Sequence, residues 1–326
     1  MTVLPATAAV QPKHRIALRW EAVLVLALIL DLCFNAALSP YFFNVDTLSD
    51  ATFNFTEKAI VALPLALLII SGEIDISVAG IIALASVAMG LCAQAGYGTP
   101  ALVAVGLVTG ALAGAINGLL VAVYRVPSIV ATIGTMTLFR GAAYAVLGDR
   151  ALKHYPESFA FFGQGYVAGP ISFELVLFIV LAILVGALLH VTILGRRIYA
   201  IGANSTAAIF SGINAQQYRF WLFVATGIAS GIAAVLLTSR LGSTRPSIAQ
   251  GMELEIISMV ILGGVSVNGG SGTIIGVVLA AVLMGFLTFG LGLLNIPGIV
   301  MSIVVGILLI GVVALPKVLA MRQQKN

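Results

Sequence analysis

The stretch TEKAIVALPLALLIISGEIDISVAGIIALASVAMG, residues 56–90, indicates the architecture of the chain most directly. Its first apolar segment, 58–71, is shorter than the roughly 17 to 25 residues that a membrane-spanning helix needs. A polar turn with glycine follows, and then a longer apolar segment, 76–95. The same order returns in ELEIISMVILGGVSVNGGSGTIIGVVLAAVLMG, residues 253–285. Paired, short, glycine-interrupted segments are typical of a transporter's substrate path, and chance similarity between two apolar segments is the alternative.

The composition places the chain in a membrane. Of its 326 residues, 60% are hydrophobic and only 9% are charged, whereas soluble domains carry about 25% charged residues. We therefore predict an all-α, polytopic membrane bundle of eight to ten crossings, two of them short and glycine-interrupted. The ten candidate segments are 20–38, 58–71, 76–95, 99–123, 126–147, 173–193, 218–238, 256–267, 273–294 and 296–315.

The basic residues predict the orientation of the chain. With ten crossings both termini lie on one side, and ten of the 16 Lys and Arg residues then fall on that side and six on the other. Because cytoplasmic loops carry an excess of Lys and Arg, both termini are predicted to be cytoplasmic. The predicted organisation is a cytoplasmic tail at 1–19, one transmembrane domain at 20–315 and a second cytoplasmic tail at 316–326.

Catalytic and metal-binding patterns are missing from the sequence. It contains no G-x-x-x-x-G-K-[ST] phosphate loop, no G-x-S-x-G elbow and no H-E-x-x-H pair. Cys33 and Cys92 lie inside apolar segments, and the three histidines are far apart. We therefore predict that the chain is not an enzyme and that it binds no metal ion or cofactor of its own.

Glycine recurs every four residues in GLVTGALAGAING, residues 106–118. On a helix these glycines form one smooth stripe, and in lipid such stripes allow two helix backbones to approach closely. Gly227 and Gly231 repeat the spacing in a later segment. The pattern predicts a helix-packing role, and a central place in the bundle, for Gly106, Gly110, Gly114 and Gly118.

Two carboxylates, Glu73 and Asp75, lie in the first glycine turn. They are costly in contact with lipid, so they are expected to face water or protein. One interpretation is a gate, a pathway lining or a proton-coupling site. The other is a solvated turn whose carboxylates pair with nearby donors or with the first amides of the next helix. Further side chains that either line a substrate route or bond between helices are Asn117, Thr132, Thr135 and Asn268.

The stretch LGRRIYAIGANSTAAIFSGINAQQYRF, between two apolar segments, contains a polar loop at 194–219. Within it NSTAAIFSGI predicts a short helix, with Asn204 or Ser205 as its N-cap and Gly212 as its stop. Positions 203–215 carry no charge, which disfavours a basic helix lying on lipid headgroups. A small-residue face suits a groove on another protein instead. That predicted face consists of Ala207, Ala208 and Ser211.

Four stretches, in order along the chain, resemble bacterial ATP-binding-cassette (ABC) importer permeases of the ribose and autoinducer-2 branch. They are SGEIDISVAGIIALASVAMG, GAINGLLVAVYRVPSIVATIGTMTLFRG, LGRRIYAIGANSTAAIFSGI and GGVSVNGGSGTIIGVVLAAVLMG. The resemblance covers about residues 20–315. Within the family, four stretches are most similar to permeases of rhamnose importers: TEKAIVALPLALLIISGEIDIS, FAFFGQGYV, SRLGSTRPSIA and LGLLNIPGIVMSI.

The resemblance implies a multi-pass protein of the inner membrane that works with other chains. Two permease subunits, either a related chain or a second copy, would form the pore. A cytoplasmic ATPase would bind and hydrolyse ATP with Mg²⁺, and a periplasmic binding protein would deliver a sugar, with rhamnose as the first expectation. The part of the loop that resembles the family's ATPase-coupling helix comprises Gly202, Asn204, Ser205, Ala207, Ala208, Ser211, Gly212 and Ile213.

Three alternatives remain open at this point. Ribose or autoinducer 2 is the other substrate expectation for the same kind of importer. An ion-coupled secondary transporter would use Glu73, Asp75 or Asp31. A membrane scaffold or receptor would transport nothing. The charge-free cytoplasmic helix and the four ordered stretches favour the importer.

Overall fold

The computed structural model describes residues 14–38 and 42–298, together with positions 300, 301, 303, 304, 306, 307, 310 and 311. The described residues form an all-α bundle, as predicted. Its helices are α1 (His14–Leu38), α2 (Val45–Phe53), α3 (Thr56–Ile70), α4 (Val78–Gln94), α5 (Thr99–Gly118), α6 (Ser128–Leu147), α7 (Phe161–Gln164), α8 (Phe173–Val191), α9 (Ile193–Ala203), α10 (Ser205–Phe210), α11 (Ala215–Leu241), α12 (Met252–Leu262) and α13 (Ile274–Leu293).

Short elements complete the described chain. A π-helical turn, Leu119–Val123, extends α5, and a 3₁₀ turn, Glu157–Ala160, precedes α7. Strands β1 (Tyr166–Ala168) and β2 (Ile171–Ser172) pair antiparallel ahead of α8. The hydrophobic pattern did not predict this hairpin or α2, because each is too short to show a period of its own.

Six of the described helices are long and apolar enough to cross a membrane: α1, α5 with its π turn, α6, α8, α11 and α13. Helix α3 meets that criterion only together with α2, and the pair is bent by 49°. Helix α4 has 17 residues and α12 has 11. Nine of the twenty positions of the segment 296–315 and all of the tail 316–326 lie outside the described residues, so the count of ten crossings stays a prediction. Helix α1 begins at His14, inside the predicted tail.

The short helix α3 lies at the centre of the bundle. Every one of its residues except Lys58 is buried, and α8, α11, α12 and α13 pack around it. A helix that is apolar on all sides lies either in a protein core or in contact with lipid, and α3 lies in the core because other helices surround it. In the apolar 18-residue stretch that would cross the membrane, 72% of the residues are buried in α11 and 39% in α5. The centre is therefore formed by α3 and α11, and α5 flanks them.

The glycine stripe of α5 lies where that helix crosses α11. A methyl group on Gly110 would clash with the carbonyl oxygen of Gly227 and lie 2.9 Å from the amide nitrogen of Gly231. Gly114 likewise faces backbone atoms of α11. The backbones touch directly, which only glycine permits, so the crossing depends on residues that have no side chain.

Helices α3 and α11 run antiparallel and are joined by an ion pair at one end. Arg240 donates from Nε to Glu57 Oε1 at 2.8 Å and from Nη2 to Glu57 Oε2 at 3.0 Å. Glu57 is fully buried. Beside it, the Thr56 hydroxyl donates to the buried Glu174 at 2.9 Å. A two-pronged pair of this kind fixes both distance and angle between the helices.

Candidate functional site

Three connections that the sequence singles out meet at the opposite end of α3. They are the first glycine turn, 71–77, the second glycine turn, 263–273, and the segment 193–214 that holds α9 and α10. The two glycine turns bond directly, because the amide of Gly270 donates to the carbonyl oxygen of Ile70 at 2.8 Å. The two short segments with similar surroundings in the sequence are therefore neighbours in space.

Helix α9 packs onto both glycine turns. A methyl group on Gly202 would lie 2.5 Å from the amide nitrogen of Gly270, and one on Gly269 would lie 3.1 Å from Gly72. The Tyr199 hydroxyl donates to the carbonyl oxygen of Gly272 at 2.6 Å. Burial raises the pKa of Tyr199 to about 12, so the phenol keeps the proton that it donates. The sequence pattern does not predict α9, because Gly195, Arg196 and Arg197 interrupt its apolar periodicity.

Asp75 is the first member of a buried chain of hydrogen bonds. Its Oδ1 accepts from the backbone N–H of Ser77 at 2.8 Å and from the Ser77 hydroxyl at 2.6 Å. Asn117 donates to the Ser77 hydroxyl at 2.7 Å, and the Thr135 hydroxyl donates to Asn117 Oδ1 at 2.7 Å. All four side chains are buried. This Asp75 network, formed by Asp75, Ser77, Asn117 and Thr135, ties the first glycine turn to α5 and α6.

The carboxyl group of Asp75 is not fully satisfied. Its Oδ2 has no hydrogen-bond partner within the described residues. Asp75 lies between α3 and α4, outside the spanning helices, and burial raises its pKa to about 6, opposed by the hydrogen bonds from Ser77. Asp75 thus pairs with the amide at the start of the next helix, one of the two expected arrangements, but it is buried rather than solvated.

The other predicted route residues do not all join the network. The Thr132 hydroxyl donates to the Ser128 carbonyl of its own helix at 2.8 Å. Asn268 is exposed on the second glycine turn. Asp31 accepts a hydrogen bond from Asn35 at 3.2 Å in α1 and lies apart from the glycine turns. Among residues 14–38, 42–298 and the positions described beyond them, no three His, Cys, Asp or Glu side chains could hold a metal ion together.

Glu73 pairs with a residue that sequence reasoning did not single out. Arg219, in the first turns of α11, places its Nε 3.1 Å from Glu73 Oε1. The Arg219 Nη2 also donates to the hydroxyl of Ser205 at 3.3 Å. Arg219 therefore contacts both the first glycine turn and the first residue of α10. In the sequence, Arg219 is visible only as a basic residue at the start of the apolar segment 218–238.

Helix α10 matches the short helix that the sequence predicts. Asn204 is its N-cap and accepts from the amide of Ala207 at 2.9 Å. At the other end Gly212 adopts a φ of 82° and donates to the carbonyl oxygen of Ile209 at 2.9 Å, while Ile213 donates to that of Ala208 at 3.0 Å. These two bonds form a Schellman motif, in which glycine closes the helix.

The exposed face of α10 differs from the small-residue face that the sequence suggests. Ala208 is only 4% exposed and packs with Ile201 and Ala215. On the other side, Phe210 is 87% exposed and Ile209 is 56% exposed. The surface that α10 offers to a partner therefore includes two large apolar side chains, flanked by the exposed Ala207 and Ser211. A six-residue helix is too short for its periodicity to distinguish these faces.

Comparisons with known proteins agree with this architecture. The family model described as "Branched-chain amino acid transport system / permease component" matches residues 48–313. The chain is similar to the autoinducer 2 import system permease protein LsrD of Escherichia coli strain K12 and of Shigella flexneri, 35% identical over 316 residues in each case. The alignments cover 95% of this chain and 96% of each relative. No solved structure matches the chain.

Proposed function

The chain belongs to the family of branched-chain amino acid transport system permease components, and on this premise we propose that it is the transmembrane permease subunit of an ABC importer in the bacterial inner membrane. The observation that carries the proposal is the family match over residues 48–313, which includes both glycine turns and α10. ATP and Mg²⁺ are bound and used by a separate cytoplasmic ATPase chain.

Helix α10 is the surface to which the ATPase docks. An exposed Phe beside an exposed Ile, on a helix capped at both ends, is the kind of aromatic anchor that dominates protein interfaces. The absence of charge from 203 to 215 favours a protein groove over lipid headgroups. Docking requires α10 to face the cytoplasm, and the distribution of Lys and Arg supports that orientation with both termini on the same side.

The substrate is a small, hydroxyl-rich molecule. The relatives named as permease proteins of an autoinducer 2 import system support that molecule, and the resemblance of four stretches supports rhamnose. Ribose belongs to the same branch. A periplasmic binding protein delivers the substrate, and a second permease subunit, either a related chain or another copy of this one, completes the pore.

A pull-down from membranes tests the docking surface. Wild-type chain, Phe210→Glu and Phe210→Leu are each used to pull down the products of the neighbouring genes, and the recovered proteins are assayed for an ATPase. A charge in an apolar groove is unfavourable, so Phe210→Glu should lose the ATPase, while Phe210→Leu retains most of it. Ala208 is unsuited to this test, because its buried position means that a large residue there would disrupt α10 itself. If wild-type chain recovers no ATPase, the importer proposal is wrong.

Uptake into proteoliposomes distinguishes the substrates and the alternatives. Radiolabelled rhamnose, ribose and autoinducer 2 are offered with their cognate binding proteins, with and without ATP inside. Uptake that requires ATP and persists without an ion gradient supports the importer. Uptake that continues without ATP and stops with the ion gradient would support the secondary transporter instead.

A further inference from the structure

Arg219 joins two parts of the molecule that are far apart in the sequence. It donates to Ser205, the first residue of α10, at 3.3 Å and lies 3.1 Å from Glu73 in the first glycine turn. We propose that Arg219 is a positioning residue that transmits the movement of α10 to the first glycine turn and through it to the Asp75 network. The inference deepens the proposed function and rests on it, since it treats α10 as the ATPase docking helix.

The path from Glu73 onward is continuous. The backbone N–H of Glu73 donates to the carbonyl oxygen of Leu68 at the end of α3, at 3.2 Å. The next residue, Ile74, donates to the hydroxyl of Ser128 in α6 at 3.3 Å. One residue later Asp75 begins the hydrogen-bonded chain that reaches α5 and α6. A displacement of Glu73 is therefore transmitted to α3, α5 and α6 through a continuous series of hydrogen bonds.

One N–H donor of Arg219 makes no hydrogen bond among the described residues. Among the residues that the structure describes, this buried Nε–H is not directed at any acceptor, although Glu73 Oε1 is near enough for an ion pair. A guanidinium group presents five N–H donors in a rigid fork. A small rotation of α11 would align the free donor with Glu73 and strengthen the pair. Such a realignment would give this joint, the contact of Arg219 with Glu73 and Ser205, a second arrangement, and transmission between distant sites requires an element with two arrangements.

The position of the joint determines what its movement does. Helices α3 and α11 are held together at their other ends by Glu57 and Arg240. Tightening or loosening the pair of Glu73 and Arg219 therefore changes the tilt between these two central helices more than their separation. A ligand shifts such an equilibrium only through its different affinities for the two states, and the ATPase at α10 supplies that difference.

The test measures communication across the membrane. The complete importer is reconstituted with wild-type chain, Arg219→Gln, Glu73→Gln or both changes together. The readout is the factor by which the binding protein, added outside, stimulates ATP hydrolysis inside. Each single variant should retain the ATPase but weaken this coupling by about fivefold or more. The double variant should be no worse than either single one, because both changes remove the same joint.

Two further variants separate coupling from folding and from net charge. Arg219→Lys keeps the charge but lacks the fork, so the fully assembled complex should show partial coupling. Arg196→Gln removes the same charge from an exposed position in the same polar loop, 194–219, and should leave the stimulation unchanged. The proposed role of Arg219 would be refuted, without affecting the proposed function, by either of two results. One is an Arg219 variant that binds the ATPase and gives wild-type stimulation, and the other is additive losses in the double variant. Failure of wild-type chain to recover ATPase would overturn the proposed function as well.

Discussion

Replacing Gly110 by alanine should destabilise the bundle, although alanine is normally the better helix former. The new methyl group would lie 2.9 Å from the amide nitrogen of Gly231, about 0.6 Å closer than the roughly 3.5 Å at which carbon contacts are favourable. Backbone atoms of α11 cannot rotate away as a side chain can. Overpacking of this kind costs about 1–3 kcal/mol, more than the roughly 1 kcal/mol that helix propensity returns.

The assay is the temperature at which half of the detergent-purified protein loses its monodisperse peak in size-exclusion chromatography. Gly134→Ala is the matched control, because Gly134 lies in α6, another spanning helix, and an added methyl group there would meet nothing within 4 Å. We expect Gly134→Ala to equal or exceed wild type and Gly110→Ala to fall below it. Equal stability of the two variants would refute the reasoning that direct backbone contact sets the distance between α5 and α11.

Two other predictions concern buried charges and use the same thermal assay. Burial raises the pKa of Asp75 from 3.8 to about 6, so the stability that its protonated form contributes should be fully present below about pH 4 and lost as the pH rises through about 6. Asp75→Asn should flatten this dependence of thermal stability on pH. A pH profile of the variant equal to that of wild type would contradict the prediction. Arg240→Gln should lower the free energy of unfolding by about 3 kcal/mol or more, because it leaves the buried Glu57 unpaired. Adding Glu57→Gln should restore part of that stability. If the double variant is no more stable than Arg240→Gln, the ion pair does not contribute in this way.

The sequence predicted local features well where each was encoded within a few residues. The N-cap at Asn204 and the glycine stop at Gly212 depend on side chains and backbone angles inside one short helix. The five long segments from 99–123 to 273–294 correspond to helices within a few residues, because each is long enough to show its apolar character. The segments at 58–71 and 256–267 were recognised as unusual, but their meeting through Gly270 was not, since a hydrogen bond between turns 200 residues apart leaves no local signal.

In the candidate site, too, local features were predictable from the sequence and contacts between distant segments were not. Glu73 and Asp75 were predicted as a pair of carboxylates that must face water or protein, and that much follows from the cost of placing charge in lipid. The partner of Glu73, Arg219, was decided by the packing of α11 against the first glycine turn. Asp75 bonds to Ser77 only two residues away, so the tertiary structure decided only the burial of this pair and its link to Asn117 in α5.

The sequence by itself determined that this chain lies in a membrane, because 9% charged residues cannot cover a soluble surface, and it determined where a short capped helix interrupts the apolar segments. Only the tertiary structure decided which residues are central and which are accessible. It buries α3 on all sides, turns Ala208 inward and leaves Phe210 outside, and it brings Arg219 between Ser205 and Glu73. Such choices depend on contacts between distant segments, and neither composition nor periodicity records them.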